Sequence, residues 1–145
     1  MLKELIRMMY FRILDRRFVR YATKAVEAAT QISEIEPVIK MMETYIAHGD
    51  KMMQCFLGCI YGRMDKDWYN PAKSAEYLEP LAEEGMVEAQ FNMAMMCYAG
   101  GPGFAEDAIM GYHWMRKAAD QEHPLALEFL RLREEGFCSP SRYIP

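Results

Sequence analysis

The sequence predicts an all-α fold: an α-solenoid of about two to three stacked helix-turn-helix repeats with an N-terminal capping helix. Two observations carry that prediction. Apolar residues recur at helical spacing through almost the whole chain, with no convincing alternating strand. The chain also resembles itself at a period of about 36 to 37 residues, the span of a two-helix unit that stacks on its neighbours. Both are clearest over Val87 to Pro124, where two amphipathic helices flank a glycine–proline turn.

Leu2, Leu5, Ile6, Met9 and Ile13, continued by Leu14, Phe18, Tyr21, Ala25 and Ala28, predict a first helix over roughly residues 2 to 31 with arginines outward. It reads as a cap over the end of the stack, with a basic face for acidic partners or lipid headgroups as the alternative. Ser33-Glu34-Ile35-Glu36-Pro37 interrupts the stripe, and the proline suits the start of a second helix, Pro37 to Ala47. That helix ends at His48-Gly49, with Gly49 as its left-handed terminator. The third, from about Asp50 to Gly62, gathers Met53, Phe56, Leu57, Ile60 and Tyr61 on one face.

Asn70 as N-cap and Pro71 as first helical residue open the fourth, which closes at Gly85. Pro80 inside it should kink the helix or start it afresh. The fifth, about Val87 to Ala99, is apolar nearly all round and should be the most buried. Gly100-Gly101-Pro102-Gly103 is a tight turn. A sixth helix from Glu106 to Gln121 and a seventh from Pro124 to Glu135 follow, the last stopping at Gly136. The domain reading is a basic capping helix over 1–36, repeats over 37–136 and an irregular tail over 137–145.

Length suits one domain with a real core, and 52% hydrophobic against 26% charged residues excludes wholesale disorder. The formal charge of −4 disfavours nucleic acid as a partner. The charge is uneven: Met1–Lys24 holds seven Lys/Arg against two acids, a surplus of five, which leaves about −9 for the rest. That start is amphipathic and arginine-rich, as a transit peptide is. Yet it has almost no Ser, contains Glu4 and Asp15, and lacks the apolar run and cleavage site of a secretory signal. No stretch is long and apolar enough to span a membrane. A folded helix in a cytoplasmic protein is the expectation. Cys55, Cys59, Cys97 and Cys138 do not form a disulfide framework; Cys55 and Cys59, one helical turn apart, suit buried reduced thiols.

The repeat can be read residue by residue. Leu57-Gly58 aligns with Met93-Ala94, Tyr77 with Trp114, Ala82 with Ala119 and Gly49 with Gly85, while Met53, Ala89 and Ala126 start three successive first helices. These residues resemble the Sel-one-like repeats, relatives of the tetratricopeptide repeats. Ala89-Gln90-Phe91-Asn92-Met93-Ala94 and Gly100 match the first half of the pattern, and Asp107, Trp114, Lys117, Ala118 and Ala119 the second. In the preceding copy Leu57-Gly58, Tyr61, Lys73, Tyr77, Ala82 and Gly85 match. The resemblance covers about residues 50 to 136. Met64 departs from it at the turn glycine, Ser74 and Gly111 at the helix-contact alanine, Pro80 at a lysine and Glu122 at the closing glycine.

No pattern in the sequence gathers groups for catalysis: HExxH, paired CxxC, GxSxG and the phosphate loop are all missing. The chain therefore reads as non-enzymatic, with no cofactor and no metal. Cys55 and Cys59 could hold a soft metal but have no second ligand pair nearby. His48 and His123 fall at helix ends, where a cation meets the negative end of a dipole, and His113 reads as solvent-facing. What remains is a surface, and the 14 methionines supply adaptable side chains for one.

The resemblance to tetratricopeptide modules implies a concave face lined by Met52, Cys55, Cys59 and Arg63, then Glu88, Phe91, Met95 and Tyr98, then Glu128 and Glu135. An aromatic–thioether patch with flanking charge suits an anchored helix or peptide of another protein. Against it stands packing of Phe91 and Met95 beneath Met1–Lys24. The resemblance further implies a bacterial adaptor, or an immunity protein whose acidic body covers a toxin or effector. A membrane-peripheral role would run through Lys3, Arg7, Arg12, Arg16, Arg17 and Arg20, though a membrane surface is the less favoured partner. A redox or metal-linked assembly role would require Cys55 and Cys59.

Overall fold

The computed structural model describes residues 17–136. The first half of the predicted capping helix, with Lys3, Arg7, Arg12 and Arg16, and the predicted tail, with Cys138, lie outside the described residues. Within them α1 is helical over residues 17–28. A 3-10 turn, Ile32–Ile35, leads to α2 (Glu36–Ala47), α3 (Lys51–Tyr61), α4 (Pro71–Glu83), α5 (Val87–Ala99), α6 (Ala108–Asp120) and α7 (Pro124–Glu134). Each helix from α2 onward packs on the next, which gives the all-α solenoid; among the described residues there is no strand.

Helix starts are fixed by side chains that satisfy first-turn amides. Asp50 accepts from Met53 N at 3.0 Å, Asn70 from Lys73 N at 3.0 Å, and Asp107 from Ile109 N and Met110 N at 3.0 and 2.9 Å. The first helix ends earlier than its apolar stripe suggests. The Glu34 carboxylate accepts from Thr30 Oγ1 at 2.8 Å and from Gln31 N at 3.0 Å, drawing the chain into a turn. The Lys66 ammonium then donates to the Ala29 and Glu27 carbonyls at 2.8 and 3.2 Å, placing a cation at the negative end of α1.

Two of the departures from the repeat pattern are explained by close packing. A Cβ on Gly111 would lie 3.1 Å from the Tyr98 ring, so the missing methyl is the space that ring occupies. Ser74 is fully buried and donates to the Gly58 carbonyl at 2.6 Å, while a Cβ on Gly58 would stand 2.6 Å from Leu78 Cγ. Pro80 neither ends nor restarts α4, which runs unbroken from Pro71 to Glu83. The proline is exposed and sits in the last turn, where the missing N–H costs a single bond. Glu122 takes the closing-glycine conformation with a φ of 62°, against 98° at Gly85 in the preceding repeat.

The core divides at α3. Phe18, Ala22, Val26, Ile35, Val38, Met42, Met53, Leu57, Ile60 and Trp68 form an N-terminal cluster. Cys55, Leu78, Leu81, Met93, Trp114, Met115, Ala126 and Phe129 belong to a second, built by α4 to α7. As its composition suggests, α5 has the largest buried set: Ala89, Gln90, Met93, Ala94, Met96, Cys97 and Tyr98.

Two substitutions test these close contacts by urea denaturation. Glu122→Gly relieves the left-handed strain and should stabilise the fold by about 0.5–1 kcal/mol. Gly58→Ala should destabilise it by about 1–3 kcal/mol despite the better helix propensity of alanine, because Leu78 must move.

Candidate functional site

The first helices of successive units, α3, α5 and α7, carry the predicted binding residues. Met52, Glu88 and Leu125 share one register position, and all three are exposed, Met52 by 67% and Leu125 by 61%. Leu125 was not singled out from sequence, although its spacing from Glu88 marks it. One turn on, Phe91 is half-buried and stacks on the His123 imidazole, with ring centroids 4.3 Å apart and planes 16° from parallel. His123 Nε2 lies 3.5 Å from a Glu88 carboxylate oxygen.

His123 corrects the sequence reading. It caps the start of α7 rather than neutralising a helix C-terminus: its Nδ1 accepts from Ala126 N at 3.3 Å, and the ring is only 7% exposed. His48 does sit at a C-terminus, with Nδ1 2.8 Å from the Thr44 carbonyl, and His113 is exposed at the edge of Trp114.

The remaining predicted residues fall into three settings. Cys59 and Met95 are half-buried and line a cavity of about 200 Å³ together with Gly62, Met64, Ser74, Asn92 and Met96. Arg63, Glu128 and Glu135 are engaged locally. The Arg63 guanidinium forks onto Asp65 with two 2.7 Å bonds, and Arg131 bridges Glu128 and Glu135 at 2.7 to 2.9 Å. Arg63 holds the Asp65 carboxyl down at about 2, and Arg131 keeps Glu128 below the usual carboxylate range.

Cys55 and Tyr98 point inward, at 6% and 5% exposure. The Tyr98 ring fills the space above Gly111 and tilts against Phe129 at 5.2 Å; burial pushes its hydroxyl pKa up, and the nearby Arg133 partly offsets this. The Cys55 and Cys59 thiols share a hydrogen bond. That bond holds Cys55 below the ordinary thiol value and, with burial, pushes Cys59 well above it. Among the described residues no three His, Cys, Asp or Glu side chains converge as a metal site, and no helix is long and apolar enough to cross a membrane. The described part of α1 does not lie over Phe91 and Met95. Phe18, Ala22 and Val26 belong to the N-terminal cluster, whereas Phe91 and Met95 pack against the second.

The Sel1 repeat family matches residues 52–86 and 87–123. The chain is a Sel1-like repeat protein. Neither a curated protein nor a solved structure matches it. The first Sel1 repeat is built on α3 and α4, the second on α5 and α6, and α7 follows in the register of a third first helix. Sel1 repeats are protein–protein interaction modules and form a non-enzymatic family.

The repeat's glutamine has a structural task here. Gln90 is 4% exposed, donates to the Ala82 carbonyl at 3.0 Å and accepts from Gln121 Nε2 at 2.9 Å, while Gln121 also donates to the Gly85 carbonyl at 3.0 Å. This network ties the α4–α5 turn to the end of α6.

Gln90→Ala should therefore cost about 1–3 kcal/mol in urea unfolding, since it strands buried polar groups. Asp65→Asn should cost less than about 1 kcal/mol at pH 7, because the Arg63 pair is exposed. The Asp65 contribution is fully present above the unfolded-state carboxyl value of about 4 and is lost as pH falls through 2. The difference between wild type and variant should thus vanish across that window in acid denaturation.

Proposed function

We propose that this Sel1-like repeat protein is a non-enzymatic adaptor that takes another protein across the concave face formed by α3, α5 and α7. The observation that carries the reading is the chemistry of the side chains that α3, α5 and α7 present together. Met52 and Leu125 stand exposed at its two ends, with half-buried Phe91 and Met95 between them. Exposed thioether and aliphatic anchors beside an aromatic ring suit the apolar stripe of a partner helix or peptide. Glu88 borders the anchors with negative charge, and Glu128 with Glu135 leaves one charge beyond the Arg131 they share, which favours a partner that is basic around its apolar contacts. The acidic remainder of the chain supports the toxin- or effector-neutralising form of this function.

Ile109, Met110 and Tyr112 on α6 form a second set of exposed apolar side chains, at 86%, 44% and 39%. The test separates the two surfaces. Met52→Glu/Leu125→Glu should leave the fold intact, because neither side chain is in the core, and should abolish stoichiometric capture of the partner from the native host. Capture that survives this change but is lost with Ile109→Glu/Tyr112→Glu would move the interface to α6. Loss of Phe91 alone is expected to weaken binding by about 10-fold or more, as truncation of an aromatic anchor does.

A further inference from the structure

The cavity beside α3 and α5 lies further along the helices that carry the proposed binding face. Met95 follows Phe91 by one turn of α5, and Cys59 follows Met52 by about two turns of α3. Part of its wall is thioether, from Met64, Met95 and Met96, and part is polar, from Ser74 and Asn92. Met64 is 39% exposed and Cys59, Asn92 and Met95 are half-buried, so the space is reached from solvent, while buried Met96 and Ser74 close it inward. At about 200 Å³ it is smaller than the roughly 300–1,000 Å³ of sites for drug-sized ligands and larger than the roughly 150 Å³ that admits a benzene ring. It is the size for one large side chain.

Two properties of the wall discriminate among side chains. Thioethers are polarisable and make favourable contacts with aromatic rings, which prefers an aromatic occupant to an aliphatic one. The polar lining offers oxygen acceptors. Ser74 Oγ gives its proton to the Gly58 carbonyl at 2.6 Å and keeps its lone pairs. Asn92 Nδ2 donates to the Glu88 carbonyl at 2.7 Å, which leaves the amide oxygen to accept. No carboxylate, lysine or arginine lines the space, so a charged group would find no counter-ion there. An aromatic ring whose one polar atom is a donor matches this wall, and among side chains that ring is the indole of tryptophan. We propose that the cavity receives a tryptophan of the partner protein, its ring among the Met64, Met95 and Met96 side chains and its N–H given to the Asn92 amide oxygen. The inference rests on the concave-face reading for the source of the ring. It makes tryptophan the central anchor, around which the exposed Met52 and Leu125 add contact area.

The cavity is tested first without the partner. Indole and indene, a carbon ring system of the same shape without the N–H, are titrated into the full chain labelled at its methionine methyls. Indole should bind at one saturable site and move the Met95 and Met96 methyl resonances by its ring current, leaving the Met52 methyl in place. Met95→Leu and Met96→Leu assign those signals. Indene should bind at least about fivefold more weakly, the contribution of one hydrogen bond. Asn92→Leu should lower indole affinity to that of indene; if this variant fails to fold, the two ligands on the unaltered chain decide. Equal affinity for indole and indene would overturn the proposal, as would shifts confined to methyls outside the cavity. N-acetyl-tryptophanamide in excess should then displace the captured partner. A partner that stays bound while this probe fills the cavity would overturn the tryptophan anchor and leave the concave face, which Met52→Glu/Leu125→Glu tests separately, standing.

Discussion

The stack depends on steric vacancy. Where α3 crosses α4, Gly58 leaves room for Leu78; where α5 crosses α6, Gly111 leaves room for the Tyr98 ring. In both pairs one helix gives up a side chain so that its partner can place a large one against bare backbone. Interiors are packed close to crystal density, so the approach cannot be recovered by small adjustments elsewhere. The polarity of the exchange differs between units: the first helix supplies the gap in one, the second helix in the other. A repeat can thus preserve the spacing of its helices while exchanging which helix yields.

What was legible in the sequence was what is local. Asn70 stands one residue before its helix and caps it as expected. Asp50 and Asp107, read as among the first residues inside their helices, prove to be caps as well, and Gly49 and Gly85 end helices with the positive φ their residue type favours. The two Sel1 matches, over residues 52–86 and 87–123, fall in step with the period of the apolar residues. The finer boundaries were less legible. The first helix ends at residue 28, where Glu34 draws the chain into a turn and Lys66, far along the chain, meets the last carbonyls.

The binding face was less legible because facing is decided by distant residues. Phe91 and Tyr98 are two turns apart and share a side of α5 by periodicity alone. Yet Tyr98 turns inward because Gly111 has opened a space for it, and no reading of α5 by itself contains that fact. Cys55 is drawn into the core by its neighbours in the same way. His123 was a different error: Pro124 behind it signals a helix start, and that signal outranks the nearby end of α6. The sulfur-lined cavity combines α3, the following turn, α4 and α5, so only tertiary structure could assemble it.

α3 touches both clusters of the core, with Met53, Leu57 and Ile60 on one side and Cys55 on the other. It is the shared wall of a two-room building. In a linear array each unit feels only its immediate neighbours, so disturbance in one room reaches the other chiefly through this one helix of 11 residues. Opening of the N-terminal room leaves α4 to α7 with most of their own apolar contacts. The chain can loosen at that end, exchanging amides and admitting proteases, while the register that presents Phe91 and Leu125 stays in place.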